Sequence, residues 1–159
     1  MAQTDEKSSV IRTQLIPLSD MQILLPNTCI AEIIDMQKLE PVKKSPEWLL
    51  GMMSWRGITV PVMSFEIANN IPTHGITKVA RIAVINGITG DDNLPFYGIV
   101  SQGIPKLLAV NKNEISAVEK PDQKLPLVQE QAMLSDTTVA IPDQDKLEKL
   151  LAKELKKIK

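Results

Sequence analysis

From residue 10 to residue 141 the chain repeats one pattern, short runs rich in Ile and Val that are each stopped by Pro, Gly or Asn. β-branched residues suit a pleated backbone, and the breakers cut every run off before it reaches helical length. The runs place strands at 12–18, 22–25, 31–34, 48–55, 59–65, 79–86, 94–100, 106–110 and 138–141. The segment 27–34 also admits a helical turn, because Ile30, Ile33 and Ile34 satisfy helical spacing as well. Many short strands beside a single convincing helix argue for an all-β barrel or sandwich.

That helix is expected over about 143–158. Asp143 or Asp145 can cap it, and Leu147, Leu150, Leu151, Leu155 and Ile158 then recur on one face. Lysines 146, 149, 153, 156, 157 and 159 occupy the other faces, and the lysine-rich final turn suits the negative end of the helix dipole. Such a helix serves as a lid on the barrel or lies on a membrane surface, and the lid is favoured because Asp145, Glu148 and Glu154 dilute the basic face. Loops are expected at 37–46, 68–78, 86–93 and 119–128. The mid-chain segment 68–78 is the natural boundary between two subdomains.

Composition excludes several function classes. A formal net charge of −1 and five aromatic residues (two Trp, two Phe, one Tyr) leave neither the basic patch nor the stacking platform that a nucleic-acid binder needs. The one histidine, His74, sits in Pro-Thr-His-Gly turn chemistry, and the one cysteine, Cys29, lies in an apolar context suited to an inert thiol. Catalytic, cofactor-binding and metal-ligating residues are therefore expected to be absent. Asp91-Asp92-Asn93 lacks calcium-loop spacing, and there is neither a phosphate-binding loop nor a dinucleotide fingerprint. No run suits a signal peptide or a membrane span, so a reducing cytoplasm fits best, and residues 1–11 are expected as a flexible polar tail before a single domain at 12–159.

The stretch from Gly51 to Phe65 stands apart, since it holds one charge, Arg56, within an apolar run. A charge so placed needs a buried acidic partner or an interface. Gly57 implies a positive φ or very close packing, and Val60-Pro61-Val62 implies an edge strand or a strand start.

The pattern Gly51-x4-Arg56-Gly57-x3-Pro61-Val62 resembles the signature of the chemotaxis coupling-protein (CheW-like) family. Ile30-Ala31-Glu32-Ile33, the approach Ser45-Pro46-Glu47-Trp48-Leu49-Leu50, the segment from Tyr97 to Ile104 and the segment from Val139 to Leu147 extend the likeness over about residues 13–150. The resemblance implies two small five-stranded SH3-like β-barrels packed side by side, with no enzymatic activity and no cofactor. It implies as partners the regulatory domain of a histidine kinase and the cytoplasmic tip of a chemoreceptor, with self-association in arrays, recruitment from the cytoplasm to membrane receptors, and no direct insertion into the membrane.

Motif or partner-binding positions are then Ile30, Glu32, Gly51, Met53, Arg56, Gly57 and Pro61. Glu32 and Arg56 are expected to pair across neighbouring strands, and Ile30 belongs either to a receptor groove or to the core. Met52, Met53 and Met63 are adaptable contacts or barrel interior. Ser54-Trp55, Ser64-Phe65 and Gln102 depart from the Asn-Leu, Asp-Leu and Asp of the family. These departures suggest a divergent member akin to adaptors of the type IV pilus (twitching) branch.

Overall fold

The computed structural model describes residues 10–73, 75–118 and 125–158. His74, the first nine residues of the expected tail, most of the 119–128 loop and Lys159 lie outside the described residues. Eleven strands form two sheets. The six-stranded sheet runs β8-β1-β2-β11-β10-β9 and joins both ends of the chain: β1 (Val10–Pro17), β2 (Gln22–Pro26), β8 (Lys106–Asn111), β9 (Ile115–Ala117), β10 (Val128–Leu134) and β11 (Thr137–Pro142). The five-stranded sheet runs β3-β6-β7-β5-β4 and takes the middle: β3 (Ile30–Asp35), β4 (Leu49–Trp55), β5 (Ile58–Met63), β6 (Arg81–Asn86) and β7 (Phe96–Ser101). Each sheet coils into a small SH3-like barrel. One sheet has six strands, one more than the five expected of each barrel.

Two boundaries need correction. The segment 68–78 joins β5 to β6 within one sheet, so the subdomains do not divide there; the chain passes between sheets after Pro26 and again after Ser101. Val10 and Ile11 belong to β1, where they pair with Asn111 and Val110, and are not tail. The helical turn weighed for 27–34 is a single 3-10 turn, Asn27–Cys29, leading directly into β3.

Three apolar interiors hold the fold together. Met53, Trp55, Val60, Val62, Ile82, Val84 and Val100 fill the five-stranded barrel, and Leu24, Ala132 and Val139 fill the other. Between the barrels lies the largest, with Ile16, Ile23, Leu25, Met63, Phe65, Ala83, Ile85, Tyr97 and Ile99. Strands facing two interiors must be apolar on both faces: on β6, Ile82 and Val84 point into the barrel while Ala83 and Ile85 point into the shared space. Such strands therefore appear in sequence as unbroken apolar runs.

The short helix α1 (Phe65–Ala68) and the long helix α2 (Gln144–Ile158) complete the structure. Asp143 caps α2 by accepting from the Lys146 N–H at 3.1 Å. Leu147 and Leu151 enter the shared interior, so α2 is a lid.

Glu148 is not part of the basic face. It is 1% exposed and accepts from the N–H groups of Ile88 and Thr89, the Thr89 hydroxyl and the Tyr97 hydroxyl at 2.9–3.2 Å. The carboxylate thus ties α2 to the β6–β7 loop. Removing it in Glu148→Ala takes the acceptor from the buried Tyr97 hydroxyl and from the Ile88 and Thr89 donors at once, and urea denaturation should show a loss of about 2–4 kcal/mol. Glu148→Gln, which keeps one acceptor oxygen, should lose less.

Candidate functional site: the hairpin tip and its anchor

β4 and β5 turn into one another over two residues, with Trp55 opposite Ile58. The intervening Arg56 and Gly57 have φ of 49° and 78°. Two consecutive positive φ values define the tight hairpin turn whose twist matches that of its strands. A Cβ on Gly57 would meet nothing within 4 Å, so glycine is required there for its conformation and not for space. Arg56 therefore stands at the tip of a hairpin with its side chain 68% exposed, and not inside an apolar strand. The burial implied by its sequence context does not occur, because the turn lifts the charge out of the barrel.

Glu32 on β3 supplies the expected partner, its Oε1 lying 3.2 Å from an Arg56 Nη2. The same oxygen accepts from the Trp55 indole N–H at 2.9 Å. The guanidinium carbon lies 5.0 Å from the Trp55 ring centre, in cation–π range, and Trp55 packs edge-on against Phe96 with ring centres 4.8 Å apart. Trp55 itself is buried. An inner aromatic pair thus fixes an outer ion pair, and one carboxylate oxygen serves two donors. Since Glu32 is 40% exposed and Arg56 more so, the pair adds only about 0–1 kcal/mol to stability.

The remaining expected positions separate clearly. Gly51 permits a close approach: a Cβ there would stand 2.6 Å from the Glu40 carbonyl, and Glu40 and Met52 exchange backbone hydrogen bonds of 2.8 Å beside it. Pro61 is buried in β5, which lies between β4 and β7 and is not an edge strand. It is accommodated because its partner Met52 spends both backbone groups on Glu40, and because the β5–β7 ladder starts one residue later, at Val62. Met53 is 4% exposed and Met63 0%, so both are barrel or shared interior and Met53 is not a contact residue. Ile30 and Ile33 are half-buried on β3, packed against the shared interior.

Three of the departures, at Trp55, Ser64 and Gln102, make local hydrogen bonds. Ser64 caps α1, accepting from the Ile67 N–H at 3.2 Å, as the usual Asp also could. The Gln102 side chain accepts from the Thr77 N–H at 3.0 Å, while its carbonyl accepts from the Thr77 hydroxyl. Trp55 gains the indole donor that a Leu lacks. Beyond Gln102, Ile104 and Leu107 are 64% and 60% exposed, with Ile76 and Val79 also open to solvent. Sequence reasoning missed these exposed apolar residues, because Leu107 stands in β8, in a run that pattern alone assigns to an interior.

Cys29 donates to Gln144 Oε1 at 3.4 Å, Gln144 reaches the Tyr97 hydroxyl at 3.5 Å, and Tyr97 donates to Glu148. Burial pushes the Cys29 thiol above its ordinary value; the Gln144 hydrogen bond opposes the shift and Glu148 adds a smaller upward push. Burial likewise raises Tyr97, far above its ordinary range. Neither group is poised as a nucleophile or a base at neutral pH. Among the described residues no three of His, Cys, Asp and Glu gather as a metal shell requires, and no helix is long and apolar enough to cross a membrane.

A family model for the CheW-like domain matches residues 13–150. Among solved structures, the scaffolding protein TtCheW from Thermoanaerobacter tengcongensis is similar, with a TM-score of 0.70 over 83% of each chain and 17% sequence identity. At that identity the likeness is one of fold. A search of curated proteins found no match.

Two measurements check the geometry. Arg56→Ala should lower unfolding free energy by no more than about 1 kcal/mol, whereas Trp55→Ala should cost about 3–5 kcal/mol; an equal loss would mean that the pair is buried. Alkylation of Cys29 at neutral pH should be much slower than that of a free peptide thiol. Because its folded value lies above its unfolded one, the stability linked to the protonated thiol is full below the ordinary value of 9.0 and is lost as pH rises through the folded value.

Proposed function

The chain belongs to the CheW-like domain family, and from that premise we propose that it is a non-catalytic signalling adaptor joining a chemoreceptor's cytoplasmic tip to the regulatory domain of a histidine kinase. The observation that favours this reading is the hairpin-tip cluster. Arg56 contacts both Glu32 and Trp55, yet the ion pair contributes little to stability, and this supports a role in recognition. A side chain fixed before binding loses less conformational entropy when it docks.

Two surfaces suit two partners. The polar tip at Glu32 and Arg56 suits a partner with complementary charge, and the open apolar residues Ile104 and Leu107 suit a helical hairpin with an apolar stripe. Ile30 and Glu32 on β3, with Gly51, Gly57 and Pro61 shaping the hairpin, complete the motif; Gly51 and Pro61 act through the backbone. The setting is the cytoplasmic side of a receptor array, in the type IV pilus twitching branch, where the departures at Trp55, Ser64 and Gln102 distinguish this adaptor from flagellar ones.

Affinity capture from native lysate, using the wild-type chain, Arg56→Glu and Ile104→Asp, tests the reading. The wild type should recover a chemoreceptor and a histidine kinase together. Each exposed substitution should lose at least one of them by about tenfold or more while melting as the wild type does. Recovery of neither partner by the wild type, or full recovery by both variants, contradicts the adaptor role.

A further inference from the structure

The six-stranded barrel is underfilled. Among the described residues its interior cluster has three buried apolar residues, against eight in that of the five-stranded barrel. Its strand order also stays open, because β8 and β9 are the two ends and only the 3-10 turn Lys112–Glu114 links them along the chain. At this end lies a pocket of about 180 Å³, walled mainly by Ile11, Leu24, Pro26, Val110, Ile115 and Ile141. Thr13 also lines it, but its hydroxyl is already committed to the Leu108 carbonyl at 3.1 Å. Lys112 is the one charged residue on the wall; it is exposed and forms no salt bridge among the described residues.

An apolar cavity of roughly 150 Å³ stays dry and accepts a molecule the size of benzene. A slightly larger slot with an almost wholly apolar wall, open to solvent on one side and edged among the described residues by a single ammonium, selects a molecule with an aliphatic body and one anionic end. The geometry points to a binding site for a medium-chain aliphatic carboxylate, with its tail among Leu24, Val110 and Ile141 and its carboxylate on Lys112. A cation of the same length meets repulsion at the rim, and a polar body of the same size finds no partner on the wall. The site lies within one barrel, away from the hairpin tip, and does not depend on the adaptor reading.

Titration of octanoate into the isotope-labelled full chain, followed by amide chemical shifts, tests it. The expected result is saturable shifts at Ile11, Val110 and Ile115 with a Kd on the order of 0.01–1 mM, and binding of octylammonium weaker by about tenfold or more. Lys112→Glu, on an exposed turn, should weaken octanoate by about tenfold or more while leaving the melting temperature unchanged. Ile11→Trp, at the rim, should block binding. Absence of saturation well above 1 mM, shifts centred elsewhere, equal binding of octanoate and octylammonium, or an unchanged Kd in Lys112→Glu would each overturn the assignment.

Discussion

The space between the two barrels governs the rest of the structure. Either barrel alone would leave one face of its strands wet: Ala83 and Ile85 on β6, Met63 on β5, and Ile23 and Leu25 on β2 have no interior of their own. Packed together under α2, these faces form the largest apolar cluster in the molecule, and at ~25 cal/mol per Å² of buried apolar surface such a cluster dominates stability. The polar contacts are arranged around it. Glu148 secures the lid to the β6–β7 loop, Asn69 accepts from the Leu127 N–H, and the Pro17 carbonyl accepts from the Gln102 N–H across the crossover.

Because stability resides in that interior, the outer features contribute little to it. The β4–β5 hairpin projects a positive charge on a left-handed backbone position, which costs a non-glycine residue about 1–2 kcal/mol, and the ion pair does not repay it. Strain of this kind recurs at functional sites, which fits the recognition role proposed for the tip. Trp55 joins the charged tip to Phe96 and the barrel interior through one ring.

Much of this was legible in the chain. The apolar runs marked nine of the eleven strands, the Leu repeat marked α2, and the pairing of Glu32 with Arg56 followed from the motif. β9 and β10 escaped because β9 has three residues and β10 carries Gln129, Glu130 and Gln131 with only Ala132 buried, so neither has a run to read. α1 escaped because Ser64 ends β5 by capping a helix of four residues, too short to show a period.

The charge environment was harder to read than the strands. Arg56 looked buried because its neighbours are apolar, and Glu148 looked exposed because its neighbours are lysines. In both cases the backbone decided: a positive-φ turn sent one outward, and the helical position of the other, one residue from Leu147, turned it toward Tyr97 and the Thr89 loop. Local composition does not report such reversals, since they depend on which element lies across the gap.

The most direct test of the central claim is reconstitution. Purified chemoreceptor, histidine kinase and this protein would be combined and kinase autophosphorylation followed with and without the receptor's stimulus. Kinase activity should come under receptor control only when the protein is present, and Arg56→Glu should abolish that control without unfolding the chain. Activity that is indifferent to the protein, or control that is complete without it, would contradict the account.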